Sequence, residues 1–236
     1  MSNEYNFIGL VNDINRRLNE VELVNNSASN KNFSTATGYY SFAKDSVNAA
    51  IRHVNSEEYE WPWNHIESEE VLNVGTVRYS VPYDAKTINM NSFRIKRNQE
   101  LGNQTIKLKD ISYEEYLDKY ADYEYNSSST TQSVPRFVAR APSRELIIFP
   151  SPDKEYEVVY EYYGVGFDLD LATDVPTFPE QYRYVIIDGA MYYVYQFRGD
   201  IQAAQLSLEK FQQGIKQLRS LHINRTQYVR DTRVHY

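Results

Sequence analysis

Two amphipathic helices are predicted in the first quarter of the chain. In residues 4–21, apolar side chains recur at helical spacing, at Phe7, Val11, Ile14, Leu18 and Val21. A second stripe of this kind runs through residues 35–55: Ala36, Tyr40, Ala43, Val47, Ala50, Ile51 and Val54. Such a stripe occupies one side of a helix, so both helices should bury that side in a core. The polar stretch between them, residues 25–32, is interpreted as a loop.

The middle of the chain changes from a helical to an alternating pattern. Alternation of apolar and polar positions predicts strands at 76–81, 87–96, 105–109, 136–140, 145–149 and 156–163. The run Ser112-Tyr113-Glu114-Glu115 is typical of a capping box and predicts a short helix ending near Tyr120. Residues 126–133 are polar and rich in Ser and Thr, which suits either a mobile surface loop or a binding tip.

A proline between two tryptophans marks the change of pattern. Pro62 ends any preceding helix, and the large indoles of Trp61 and Trp63 require burial. We therefore predict that Trp61 and Trp63 form an interdomain plug, which packs one domain against the next.

Helices return near the end of the chain. One is predicted at 179–198, with a proline at its first position, and another at 200–221. The second has an apolar stripe made of Ala204, Leu208, Phe211, Ile215 and Leu218. Beyond Asn224 the chain is polar and basic without periodicity, which indicates an extended tail.

The predicted fold class is α+β, a helical bundle from the N- and C-terminal segments with an inserted antiparallel β domain and an extended C-terminal tail. We expect the bundle at residues 1–58 and 175–223, the β domain at 59–174 and the tail at 224–236. A bundle whose relevant chain ends lie close together accommodates such an insertion easily.

Composition narrows the class of protein. Of 236 residues, 42% are hydrophobic, which suffices for a packed core. The 22 tyrosines suit either protein–protein contacts or half-exposed strand positions. The absence of cysteine excludes disulfides, thiolate metal sites and cysteine nucleophiles, and fits folding in a reducing cytoplasm. Neither a signal peptide nor an apolar run of about 20 residues is visible.

Charge is distributed unevenly along the chain. From residue 219 to 236, four arginines face one aspartate, a net charge of +3. Since the whole chain carries −7, residues 1–218 carry −10. An acidic body with a basic end argues against a general nucleic-acid-binding protein and suits a tail that docks on an acidic partner.

No catalytic, cofactor-binding or metal-binding residues are predicted. The sequence contains no phosphate-binding glycine loop, no nucleophile elbow and no HExxH motif. The adjacent glutamate pairs 57–58, 69–70 and 114–115 diverge from each other, unlike the facing carboxylates of a glycosidase. The acidic run 168–174 lacks the central glycine and the closing glutamate of a calcium loop.

Three segments together suggest a family. The first is a helix at 36–51 that leads to the aromatic run 59–63. The second joins 146–153 to 158–163, and the third runs from 175 through Arg198-Gly199-Asp200. In this order they resemble the head-to-tail adaptor, or connector, proteins of tailed bacteriophages and are similar to the tail tubular protein A family.

This resemblance implies a structural protein of the virion, not an enzyme, and no cofactor. It implies a homo-oligomeric ring, commonly a dodecamer, in the neck between head and tail, made in the host cytoplasm. Its partners would be the portal protein, the tail nozzle or tail tube protein and the tail fibres, and genomic DNA would pass through without sequence-specific contacts. The C-terminal segment would reach the portal, so the expected portal-binding residues are Arg219, Arg225, Tyr228, Arg230, Arg233 and Tyr236.

Two features leave other roles open. The inserted β domain is larger than in small connectors, so it could contact nozzle, fibres or both. A tyrosine-rich surface with a Ser/Thr-rich loop also suits a carbohydrate- or receptor-binding tail module, which stands as the alternative function.

Overall fold

A computed structural model describes residues 4–58, 60–96, 105–125 and 132–223. In chain order the helices are α1 (Phe7–Arg17), α2 (Tyr39–Glu57), α3 (Tyr113–Lys119), α4 (Ala121–Tyr125), α5 (Arg183–Arg198) and α6 (Ile201–His222). The strands are β1 (His65–Leu72), β2 (Arg78–Ser80), β3 (Ala85–Ile88), β4 (Arg94–Ile95), β5 (Ile106–Lys107), β6 (Lys109–Asp110), β7 (Phe137–Arg140), β8 (Glu145–Phe149) and β9 (Tyr156–Gly164). The order confirms the predicted α+β class, with helices at both ends and strands between them.

The chain divides into a helical unit, residues 1–63 and 166–236, and a β unit, residues 64–165. These boundaries differ from the predicted ones, which lay after residues 58 and 174. The physical reason is burial, because Trp61 and Leu169 both lie in the core of the helical unit. The predicted tail at 224–236 and most of the predicted loop at 126–133 lie outside the described residues.

Helix α5 lies at the centre of the helical unit and packs against α1, α2 and α6. Its buried side chains are Val185, Ile186, Ile187, Ala190, Met191 and Val194. Two glycines allow α5 and α6 to approach closely. A Cβ atom on Gly189 would lie 2.7 Å from the Phe211 ring, and one on Gly214 would lie 2.9 Å from a Val185 methyl group.

Local capping sets the ends of the N-terminal helices. The Asn6 side chain accepts a hydrogen bond from the Gly9 amide at 2.9 Å, so α1 begins at Phe7 and not at residue 4. It ends at Arg17, before Asn19 with a φ of 56°, and not at residue 21. Helix α2 begins at Tyr39 and not at residue 35, because Gly38 precedes it with a φ of 63°.

Strand β9 is the centre of the first sheet of the β unit. Strand β1 pairs antiparallel along its whole length, from the pair His65–Tyr163 to the pair Leu72–Tyr156. Strands β3 and β4 pair with the other edge of β9, and β5 pairs with β4. The second sheet has the order β2-β8-β7-β6, in which β6 and β7 are parallel, whereas the predicted β domain was antiparallel throughout.

Alternation along β8 lets the second sheet face two cores. Leu146 and Ile148 join the core that this sheet shares with the first sheet, while Ile147 and Phe149 pack with Tyr116 of α3 on the opposite face. The β unit is therefore a two-layer sandwich with a helix on its outer side.

The range 87–96, predicted as one strand, forms β3 and β4 with a turn between them. The Asn89 side chain accepts from the Asn91 amide at 3.2 Å, and the Ser92 hydroxyl donates to the Asn89 carbonyl at 2.6 Å. These local hydrogen bonds compete with the strand ladder and turn the chain.

Candidate docking site

The C-terminal end of α2 needs hydrogen-bond donors from elsewhere. The last four carbonyl groups of a helix have no partner within it. The indole Nε1 of Trp61 donates to the Val54 carbonyl at 2.8 Å, and the Arg219 guanidinium donates to the Glu57 carbonyl. The end of α2 is thus capped from the segment that follows it and from α6.

Ion pairs reinforce the contact between α6 and α2. The Arg219 Nη2 lies 2.9 Å from the Glu57 carboxylate, and its Nε lies 3.7 Å from the Glu58 carboxylate. The Arg219 side chain is 33% exposed. Arg219 is one of the predicted portal-binding residues, and its partners here are within the subunit. Its contact with the portal stays a prediction.

Aromatic rings surround the point where the chain leaves α6. Trp61 and Trp63 stack with ring centroids 4.6 Å apart, and Trp63 contacts Phe178 and His222 edge-on at 5.0 and 5.7 Å. His222, the last residue of α6, also shares a 2.9 Å hydrogen bond with the Tyr182 hydroxyl. We name Trp61, Trp63, Phe178, Tyr182 and His222 the basal aromatic cluster, because it fixes the base of the C-terminal segment.

The two predicted plug residues both belong to this cluster. Trp61 is fully buried in the core of the helical unit, and Trp63 is partly buried against the same core. Their role in packing one unit against the other stays a prediction. The remaining predicted portal-binding residues, Arg225, Tyr228, Arg230, Arg233 and Tyr236, lie outside the described residues.

Several members of this site carry no signal in the sequence. As an adjacent pair, Glu57 and Glu58 show only that they are not catalytic partners, and neither Tyr182 nor His222 belongs to a recognisable motif. The contact between Arg219 and Glu57 joins residues that are 162 positions apart in the chain, so no local sequence pattern predicts it. A basic residue in the last turn of α6 was the available signal, since such residues often bond to free carbonyl groups.

A second surface lies at the opposite end of α6, about 33 Å away along the helix. At the turn between α5 and α6, Phe197 is 58% exposed and Ile201 is 70% exposed. The Phe197 ring stacks on Phe42 of α2 with centroids 4.3 Å apart. Exposed large apolar side chains that lie close together are typical of protein–protein contact surfaces.

An aromatic group and an ion pair flank this surface. The Arg198 guanidinium lies 2.6 Å from the Glu20 carboxylate and 4.7 Å from the centre of the Tyr39 ring. Burial raises the pKa of the Tyr39 hydroxyl to about 12.

Within the described ranges, no group of three or more His, Asp or Glu side chains is placed to hold a metal ion. None of the helices described combines the length and apolar character that crossing a membrane requires.

A model of a known protein family matches nearly the whole chain. The family model described as SU10 adaptor protein matches residues 5–234, which span both units and the basal aromatic cluster. No curated protein matches the chain.

Proposed function

The chain belongs to the SU10 adaptor protein family of phages, and from this premise we propose that it links the portal of the head to the tail as a ring of identical subunits. The observation that carries the proposal is the family match from residue 5 to residue 234. The family is structural and not a class of enzyme. The protein is thus a component of the virion, and we place it in the neck between head and tail.

The C-terminal segment is the proposed contact with the portal. It leaves α6 at His222, whose surroundings are held by the basal aromatic cluster and by the pairing of Arg219 with α2. This firmly held base fixes the point from which the segment leaves the helical unit. Arg225, Arg230 and Arg233 would then form charge-assisted hydrogen bonds with carboxylates or carbonyls of the portal, and Tyr228 and Tyr236 would supply apolar contact area.

Arg219 has a different part in this proposal. Its guanidinium already bonds to the Glu57 carbonyl and carboxylate, so it anchors the base of the segment. Any contact with the portal would use the exposed part of the same guanidinium.

The exposed turn between α5 and α6 is the proposed contact between neighbouring subunits. A closed ring needs two different faces on each subunit, and Phe197 and Ile201 supply an apolar one. A dodecamer matched to the portal is the expected size. The acidic residues 1–218 would repel phosphate and let DNA slide through the ring, and the tail nozzle or tail tube, with the fibres, would lie below it.

The experiment compares the full chain with a variant that ends at Ile223, in a binding assay with purified portal protein. We expect the truncated variant to keep its far-ultraviolet circular dichroism and its cooperative thermal unfolding, because the described core ends before residue 224. We expect it to lose attachment to the portal. Attachment equal to that of the full chain would refute the assignment of the C-terminal segment.

A matched variant tests the ring independently. Phe197→Ser changes an exposed side chain and leaves the C-terminal segment intact, so it should reduce the oligomer seen by light scattering without unfolding the subunit.

In purified virions, a copy number of this chain near that of the portal would support the ring. Its absence from the particle would contradict the virion role.

A further inference from the structure

A groove with an apolar floor and an acidic rim lies in the segment before α5. Its volume is about 260 Å³, and its lining includes Ile51 of α2 together with Phe167, Val175 and Pro176. Phe167 and Val175 are 63% and 62% exposed, and Leu171 between them is 63% exposed. Three large apolar side chains exposed this far within nine residues form a surface that favours a partner.

The segment that presents these side chains is firmly held. The Asn48 amide group bonds to both the carbonyl and the amide of Leu169, at 2.9 and 3.0 Å. The Asp174 carboxylate accepts from the amides of Asp170 and Leu171 at 2.8 and 2.7 Å. On the buried side, Leu169 packs in the core of the helical unit. The exposed apolar side chains are therefore displayed in a fixed arrangement.

The rim of the groove is acidic. Residues 166–180 include Asp168, Asp170, Asp174 and Glu180 and no lysine or arginine. The cation close to Asp168 is Arg52, whose Nε lies 3.2 Å away with both side chains more than half exposed. A partner that fits this surface must combine positive charge with apolar or aromatic side chains.

The C-terminal segment of the chain has this composition. Residues 224–236 contain three arginines and one aspartate, and among them stand Tyr228, Val229, Val234 and Tyr236. At about 3.3 Å per residue the segment reaches about 40 Å when extended. It starts beside the basal aromatic cluster, in which Phe178 directly follows the groove residue Thr177.

We propose that the groove binds residues 224–236 of the same subunit before the adaptor meets the portal. The arginines pair with the aspartates of the rim, and the tyrosines and valines cover Phe167, Leu171 and Val175. The competition that follows rests on the proposed function: the portal and the groove bind the same segment, so the portal must displace it. A bound fraction of 90% in the free subunit would weaken the apparent affinity for the portal about tenfold.

The direct test uses no portal, so its outcome is independent of the proposed function. A fluorescent peptide of residues 223–236 is titrated with the variant that ends at Ile223, and anisotropy is recorded at low and high salt. We expect saturable binding that weakens at least about tenfold in Phe167→Ser and in Val175→Ser, which both line the groove, and that weakens with added salt. The same loss is expected for a peptide with its three arginines replaced by glutamate.

Leu206→Ser is the matched control, since Leu206 is 56% exposed on α6 and does not line the groove. It should leave peptide binding unchanged, and the circular dichroism of all three serine variants should match that of the parent. Absence of peptide binding, or equal binding by groove and control variants, would overturn the proposal.

Amide hydrogen exchange of the full chain identifies which copy supplies the segment. Amides 166–177 should exchange more slowly in the full chain than in the truncated variant, by the same factor at two concentrations about tenfold apart. Protection that grows with concentration would assign the segment to a neighbouring copy and overturn the proposal. Weaker portal binding by full-length Phe167→Ser would also overturn it, because the groove would then be a portal contact.

Discussion

Replacing Trp61 by phenylalanine should destabilise the helical unit strongly for a conservative change. The indole Nε1 donates to the Val54 carbonyl at 2.8 Å, and the side chain is fully buried. Loss of this hydrogen bond leaves a buried carbonyl without its donor, which costs about 1–3 kcal/mol. With some loss of stacking on Trp63, the expected decrease in the free energy of unfolding is about 2–4 kcal/mol.

Trp63 provides a control of the same chemistry. It stacks on the same ring, but within the described residues its indole nitrogen has no hydrogen-bond partner. Trp63→Phe removes buried apolar area, which destabilises the fold, but it also removes a buried donor without a partner, which stabilises it. Because these two effects oppose each other, the expected cost is about 1 kcal/mol or less.

Urea denaturation followed by circular dichroism at 222 nm measures both variants, since most helical residues belong to the helical unit. The midpoint should move clearly further for Trp61→Phe than for Trp63→Phe. Equal decreases for the two variants would refute the conclusion that Trp61 acts as a helix cap, and would leave ring packing as its contribution.

Three further changes test the packing and the electrostatics. Gly214→Ala places a Cβ 2.9 Å from a Val185 methyl group, so a loss of about 1–2 kcal/mol in thermal unfolding is expected, and a second change, Val185→Ala, should reduce the added cost of the alanine. Burial raises the pKa of the Glu70 carboxyl, so its ionisation destabilises the folded state as pH rises above the ordinary value of 4.5. Glu70→Gln should therefore gain stability relative to the parent between about pH 4 and pH 7, and a difference independent of pH would contradict this. The Arg78 guanidinium bonds to both oxygens of Glu124, at 2.6 and 3.1 Å, and lowers the pKa of that carboxyl. Glu124→Gln should cost about 1–2 kcal/mol at neutral pH, with the difference shrinking as pH falls below about 4.5 and the parent carboxyl becomes protonated.

The hydrophobic periodicity of the sequence predicts those helices and strands that bury one face. The predicted stripe of α6 and, apart from Ala36, that of α2 lie on the helices of the structure, because a surface helix of a bundle has one buried and one exposed side. Strand β9 was equally clear, since its buried positions alternate from Tyr156 to Gly164. The order of these elements along the chain was sufficient to predict the α+β class.

Strand β1 was missed for a physical reason. It alternates, but two of its partly buried positions are Ser68 and Glu70, which hide the apolar period. Their side chains are tolerated there because Tyr160 of β9 provides a hydrogen-bonding partner. The sequence alone does not reveal that Ser68 and Glu70 share Tyr160 as a partner, because this depends on the register between β1 and β9.

The candidate site could be predicted only in part. Trp61 and Arg219 stood out by residue type, but their shared role at the end of α2 depends on contacts far apart in sequence. The groove was hidden for the opposite reason: the run 166–178 shows neither a helical nor a strand period, and the predicted boundary after residue 174 divided it between the β domain and the bundle. Its buried residues point to the helical core while their neighbours remain exposed.

The position of β9 in the middle of its sheet has a consequence for synthesis on the ribosome. Strands β1, β3 and β4 all pair with β9, which follows them in the chain, so none of them can complete its sheet until β9 has emerged. The core of the helical unit can form only later, because α1 and α2 pack on α5, which is translated after β9. The nascent chain therefore keeps apolar side chains of its first two helices uncovered until most of it has been translated. Contacts of such long range predict slow folding and a nascent chain that benefits from chaperones.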